Sequence, residues 1–266
     1  MKGRIGFGCA LLICLAWMPA QAQFLPIYDD FAGDHIDPAK WIAPPLCVGN
    51  VYDCAREARH GHLHLAVRGY GATDSDSGVT FSESQLHFRN PHLITTIRFR
   101  FTVTSFSGGA CAPPSANGAA AHPQLLAHGA FFNAGSGLPE DDVIAYLMVE
   151  RLTDDLSLPP TSLRVAGFTS RGATFSEHVD LGTVRVGEPA VATLTWDQEN
   201  HAFTWQIVKT FTKPHVVAGT LPYAELDGVA PAEPFKSVRV GTFAPNCAEP
   251  GFAAMDATID NVRVNP

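Results

Sequence analysis

The stretch Ile97-Arg98-Phe99-Arg100-Phe101-Thr102-Val103-Thr104 decides the fold class. Apolar residues take every odd position and polar ones every even position. Successive side chains of an extended chain point to opposite faces, so this segment is a strand with one face in a core and one in water. The same period of two recurs where Leu63, Leu65 and Val67 alternate with His62, His64 and Arg68, and again over 163–168, 190–196, 203–208, 237–243 and 258–264. Asp197-Gln198-Glu199-Asn200 separates two of these runs and reads as a hairpin turn. Residues 143–149 are apolar on both faces, as expected of a central strand. Residues 124–132 suit a short helix or a strand, and periodicity does not decide between them. Helical periodicity is otherwise scarce, and about a dozen strands with turns between them predict an all-β, antiparallel sandwich or barrel.

Composition agrees. Charged residues are 17% of the chain, below the usual ~25%, and 23 glycines with 20 prolines suit many short strands and turns. Lys2 and Arg4, an uncharged apolar run from Ile5 to Met18, and small residues at Ala20 and Ala22 read as a secretory signal peptide over 1–22, so the mature chain is expected to begin at Gln23. Its removal takes away two cations and no acid, which moves the formal charge from −8 to −10. An acidic chain without a Lys/Arg cluster is a poor partner for nucleic acid, and no later segment approaches the roughly 20 apolar residues of a membrane span. The expected location is periplasmic or secreted. With no linker or repeat, residues 23–266 read as one domain.

Cys9 and Cys14 leave with the signal peptide, and Cys47, Cys54, Cys111 and Cys247 remain. An even number in an exported chain implies two disulfides. Cys47 and Cys54 flank a Gly49-Asn50 turn and are expected to pair, leaving Cys111 to tie the middle of the chain to Cys247. No C-x-x-C spacing supports a zinc site.

Three segments together resemble the concanavalin A-like lectin/glucanase superfamily. They are Asp29-Asp30-Phe31-Ala32-Gly33 with Ile36-Asp37-Pro38-Ala39-Lys40-Trp41, the hairpin from Thr193-Leu194-Thr195-Trp196-Asp197 to Phe203-Thr204-Trp205, and the closing Ile259-Asp260-Asn261-Val262-Arg263-Val264. The resemblance implies a jelly roll of two curved antiparallel sheets, with the last strand near the first and glycans bound on the concave face. Its enzymatic branch carries a Glu-x-Asp-x-Glu strand. The nearest match here is Glu140-Asp141-Asp142-Val143-Ile144, where Ile144 takes the third acidic position and removes the acid/base partner. Glu140 and Asp142 therefore read as a solvated strand entrance, and no catalytic residue is assigned.

Sugars present apolar faces to aromatic rings and hydroxyls to planar polar groups. Trp196 and Trp205 share parity with core residues and are expected inside. Tyr146, alternating with Ile144 and Met148, is placed to face the concavity, and Arg98, Arg100 and Glu150 are the polar candidates beside it. The expectation is that at least two of Arg98, Arg100, Tyr146 and Glu150 line one groove. Asp29 shares parity with Ile27 and Phe31, and Asp260 with Val262 and Val264. Two inward carboxylates on neighbouring strands would suit a structural calcium, the only cofactor these residues suggest. His62 and His64, about 7 Å apart on one strand face, could share a metal, although an ordinary polar outer face is the simpler reading. The functional expectation is an exported module binding a glycan or cell-envelope component without catalysis. The alternatives are a glycan-cleaving enzyme (glycoside hydrolase or lyase) with an unfamiliar acid/base pair, which a Tyr/His/Arg group in the groove would favour, and a structural envelope protein.

Overall fold

A computed structural model describes residues 25–113, 115–172, 174–209 and 215–265. The expected signal peptide over 1–22 and the expected Gln23 terminus lie outside them. Among the described residues, fifteen strands, numbered in chain order, form two sheets paired antiparallel throughout. The first runs β13 (His215–Pro222), β12 (Ala202–Lys209), β11 (Ala190–Asp197), β6 (Thr96–Gly109), β15 (Phe252–Val264), β4 (His62–Tyr70), β3 (Val51–Arg59), with β1 (Ile27–Asp29) also on β15. The second runs β10 (Thr174–Arg185), β9 (Ser162–Arg171), β8 (Asp142–Glu150), β7 (His122–Asn133), β14 (Lys236–Pro245), β5 (Val79–Phe88), β2 (Trp41–Ile42). The chain is an all-β, antiparallel jelly-roll sandwich, and its last strand lies beside its first.

One core fills the space between the sheets. Ile97, Phe99, Phe101 and Val103 of β6 point inward and are buried, while Arg98 and Arg100 are exposed on the outer face. Facing them, Val143, Ala145, Leu147 and Val149 of β8 turn inward. Trp196 and Trp205 are both core. Trp205 lies flat against Gly167, where a Cβ would come within 2.3 Å of the ring, and its Nε1 donates to the Tyr146 carbonyl at 2.7 Å. A glycine on one sheet thus admits an indole from the other, and the hydrogen bond satisfies the buried N–H.

Residues 124–132 belong to a strand, β7. Leu125 and Ala127 face the core, yet Gln124, Leu126 and His128 on the opposite face are also buried, so the run is largely apolar on both sides and its period is hidden. Cys47 pairs with Cys54 and Cys111 with Cys247, each with Cα atoms 6.2 Å apart.

The structure corrects the reading of two acidic positions. Val262 is core, but a bulge at Asn261, with φ +49°, breaks the alternation after Ile259 and turns Asp260 to the outer face. There it accepts from Asn261 Nδ2 at 2.7 Å and lies 3.9 Å from His62 Nδ1. Asp142 is not a solvated entrance. It is 3% exposed and accepts from Asn133 Nδ2, Ala232 N and Glu233 N at 2.8–2.9 Å. Its carboxylate anchors the segment that leads into β14.

Candidate functional site

The outer face of the second sheet gathers side chains that alternate with core residues. On β5 these are Phe81, Glu83, Gln85 and His87, because Ser82 and Ser84 point inward and donate to the Asn50 and Ala55 carbonyls across the core. On β14 they are Ser237, Arg239 and Phe243, on β7 His122, Gln124 and His128, and on β8 Tyr146 and Glu150. Gln124, Leu126, His128 and Met148 are buried on this face while Phe81, Gln85, His87, Tyr146 and Glu150 around them are half-buried, so its centre lies deeper than its surround, and it is called the recessed face below.

Register arranges these groups in rows across the strands. One row is aromatic: Phe81 packs on Phe243 at 4.9 Å, and Phe243 stacks on His122 at 5.7 Å. A second runs His87, Ser237, His128, Tyr146, Phe168 and His178 across six strands. Within it His128 and Tyr146 stack at 5.3 Å with planes 12° apart, and Phe168 and His178 stack at 5.7 Å. The two rows are six residues apart along β5, roughly 20 Å.

Between them lies a planar polar floor. Glu83 accepts from Arg239 at 2.9 Å and from Gln85 at 2.7 Å, and His122 Nε2 lies 2.6 Å from Glu150 Oε2. The Arg239 guanidinium also covers the Phe81 ring at 5.1 Å. Among the described residues, four buried side-chain polar atoms lack a protein partner, and three of them, His87 Nε2, His128 Nδ1 and Arg239 Nε, are on this face. Buried polar groups are normally satisfied, so their concentration here marks a place built for polar contact.

Burial holds the His128 imidazole well below its ordinary range, and the positive charges of Arg239 and His87 act in the same direction. His128 is therefore neutral in the folded protein at pH 6.5, where an unfolded histidine is about half protonated. Its contribution to stability is complete above that pH and lost as pH falls below it, by up to about 1.4 kcal/mol per pH unit. Urea unfolding between pH 5 and 7.5 is expected to show a shallower acid slope in His128→Gln than in the parent. An identical slope would place the acid sensitivity elsewhere.

The two pairs singled out from the sequence occupy opposite sides of the sandwich. Tyr146 and Glu150 belong to the recessed face, whereas Arg98 and Arg100 stand on the outer face of the first sheet. Reading strand parity separates inward from outward but does not say which sheet a strand joins. Sequence reasoning passed over Glu83, Gln85, His122, Gln124, His128 and Arg239. No alternation over Phe81-Ser82-Glu83-Ser84-Gln85 points to the first two, because the inward positions Ser82 and Ser84 are themselves polar.

Asp29 and Asp260 do not converge. Asp29 is buried and already accepts from Trp41 Nε1 at 2.7 Å and Phe31 N at 3.0 Å, with Lys40 Nζ at 3.6 Å, so its charge is compensated by donors of the chain itself. Asp260 faces the other way. His64 is engaged by Asp256 at 3.1 Å and Glu57 at 3.2 Å, and no group of three or more His, Cys, Asp or Glu suited to a metal occurs among the described residues. These residues do not fit a calcium shared by Asp29 and Asp260.

No family model matches the chain, and no curated protein does. Among solved structures the chain is similar to a β-1,3-glucanase from Mycobacterium marinum (13% identity, TM-score 0.45, covering 91% of this chain and 100% of that one). It is also similar to a glycosyl hydrolase family protein from Mycobacterium fortuitum (13% identity, TM-score 0.43, 91% and 98%) and to lectin II from Ulex europaeus (15% identity, TM-score 0.38, 85% and 96%).

Proposed function

We propose that the recessed face of the second sheet binds a glycan, and that the protein does so outside the cytoplasm. The observation that carries this reading is the polar floor of Glu83, Gln85, Arg239, Gln124 and Glu150 held between two aromatic rows. Rings offer apolar contact to the C–H face of a sugar, while carboxylate, amide and guanidinium groups meet its hydroxyls in defined directions. Two disulfides suit an oxidising compartment.

The protein is expected to retain one class of polysaccharide on a glycan microarray. Tyr146→Ala is expected to weaken binding of that glycan by about 1–2 kcal/mol, roughly tenfold in Kd by titration calorimetry. Unchanged binding would remove this face from consideration.

A cleaving role is favoured by one feature, the grouping of Tyr146, His128 and Arg239 on a single face. Against it, His128 is only 5% exposed and its Nε2 is engaged with Ser237 Oγ at 2.8 Å, which leaves the buried Nδ1 alone unpaired. Binding is the reading this geometry supports best. The appearance of new chain ends in a bound polysaccharide would shift the assignment to cleavage.

A further inference from the structure

The first sheet also carries a constructed surface, on the side of the sandwich away from the recessed face. Tyr52, Tyr70 and Phe252 form a continuous aromatic strip across three neighbouring strands, with ring centroids 6.1 Å and 6.3 Å apart. Tyr70 and Phe252 pair in regular register, and Tyr52 is placed by a local departure from it. Tyr52 is the extra residue of a bulge in edge strand β3, because Val51 pairs with Gly69 and Asp53 with Arg68, and the bulge turns its ring out to 74% exposure. Phe252 pairs with Tyr70 on one side and Gly109 on the other, and its ring occupies the space where a Gly109 Cβ would come within 2.8 Å. Arg68 holds its guanidinium 5.7 Å from the same ring.

Beside the strip runs a shallow groove of about 230 Å³. Its floor is made by three small residues on adjacent strands, Ala55, Ala66 and Ala254, and its far side is His64 with Asp256, 3.1 Å apart. Asp53 and Arg68 stand between the groove and the rings. Aromatic faces on one side, planar donors and acceptors of both charge signs on the other, and a floor without bulk suit a polyhydroxylated chain lying along the sheet. An apolar protein partner would desolvate the charges of Arg68 and Asp53.

We propose that this surface is a second glycan site, and that the protein joins two glycan chains, one on each side of the sandwich. The second site does not depend on the first, whereas the joining of two chains rests on the recessed-face reading as well. Binding at two faces of one rigid body links separate chains and adds avidity on an immobilised polysaccharide.

The test uses the full exported chain on a microarray of bacterial, fungal and plant polysaccharides, followed by titration with the polysaccharide retained. Three variants are compared: Tyr52→Ala/Tyr70→Ala, Ala254→Arg, which fills the groove and leaves the rings in place, and Tyr146→Ala. The first two are each expected to lower affinity for at least one polysaccharide by tenfold or more while the circular dichroism spectrum is kept. The parent is expected to aggregate that polysaccharide in solution, and every single-face variant to lose this aggregation. If both first-sheet variants bind like the parent, the second site is overturned and the recessed-face reading stands. If only they lose binding and Tyr146→Ala does not, the second site stands and the recessed-face reading fails. If the parent retains no polysaccharide, both fall. Should light scattering show the parent to be a dimer that Tyr52→Ala dissociates, the strip is a contact between copies and the proposal is overturned.

Discussion

Replacing Cys111 and Cys247 together by alanine is expected to cost about 4 kcal/mol of folding stability, the largest effect of any change considered. The two residues are 136 apart in sequence, and closing so long a loop removes more freedom from the unfolded chain than the seven-residue separation of Cys47 and Cys54. The chain-entropy relation gives about 4–5 kcal/mol for the long loop and about 2.5 for the short one. Native contacts near the long bridge survive its loss. Asn246 Oδ1 accepts from Ala72 N and Thr80 Oγ1, and Asn117 Nδ2 donates to the Asn246 carbonyl, so three loops stay joined at this end of the sandwich. The folded state should therefore keep its shape while the unfolded state gains freedom. Urea unfolding measures the loss, and thermal unfolding should show a fall in melting temperature of about 10 °C for a chain of this size. A loss below 1 kcal/mol, or a larger loss on removing the Cys47–Cys54 pair, would contradict the loop-length argument.

The second large effect is expected at Asp142. Its carboxylate accepts two backbone N–H groups, those of Ala232 and Glu233, and the Asn133 amide, in a position with almost no access to water. Asp142→Ala takes the acceptor from two part-buried backbone N–H groups and leaves Asn133 Nδ2 with the Leu138 carbonyl alone, at a cost of about 2 kcal/mol. Asp142→Asn keeps one acceptor and should lose less. The segment so anchored ends in Phe235, whose ring meets His128 edge-on at 5.2 Å. Asp142→Ala is therefore also expected to weaken glycan binding at the recessed face, although the residue is not among those that form its floor. Binding retained in full alongside the predicted stability loss would show that the face is held by its own strands alone.

The strands legible in the sequence are those with one wet face. Residues 97–104 and 62–68 alternate cleanly because Arg98, Arg100, His62 and Arg68 stand exposed on the outer face of the first sheet. The hairpin at Asp197 is equally plain, since Trp196 and Phe203 pair across it and Asp197 Oδ1 accepts the Asn200 N–H inside the turn. The recessed face was harder to read for the opposite reason. On β7 both faces are buried, and on β5 the inward positions are the small polar Ser82 and Ser84, so hydropathy neither alternates as a strand nor marks the core side.

Sequence alone determined the fold class and the absence of a Glu-x-Asp-x-Glu strand, which depend on local periodicity and on which residue types are present. It left three connectivities open to four cysteines, and the structure shows the expected one. Tertiary structure alone decided which outward side chains meet. Tyr146 and Glu150 parted from Arg98 and Arg100, and His128, Arg239 and Glu83 joined Tyr146, through strand order and register set by packing across the whole chain. A single bulge at Asn261 was enough to turn Asp260 from the core to the surface, because a period of two reverses every side chain beyond one inserted residue.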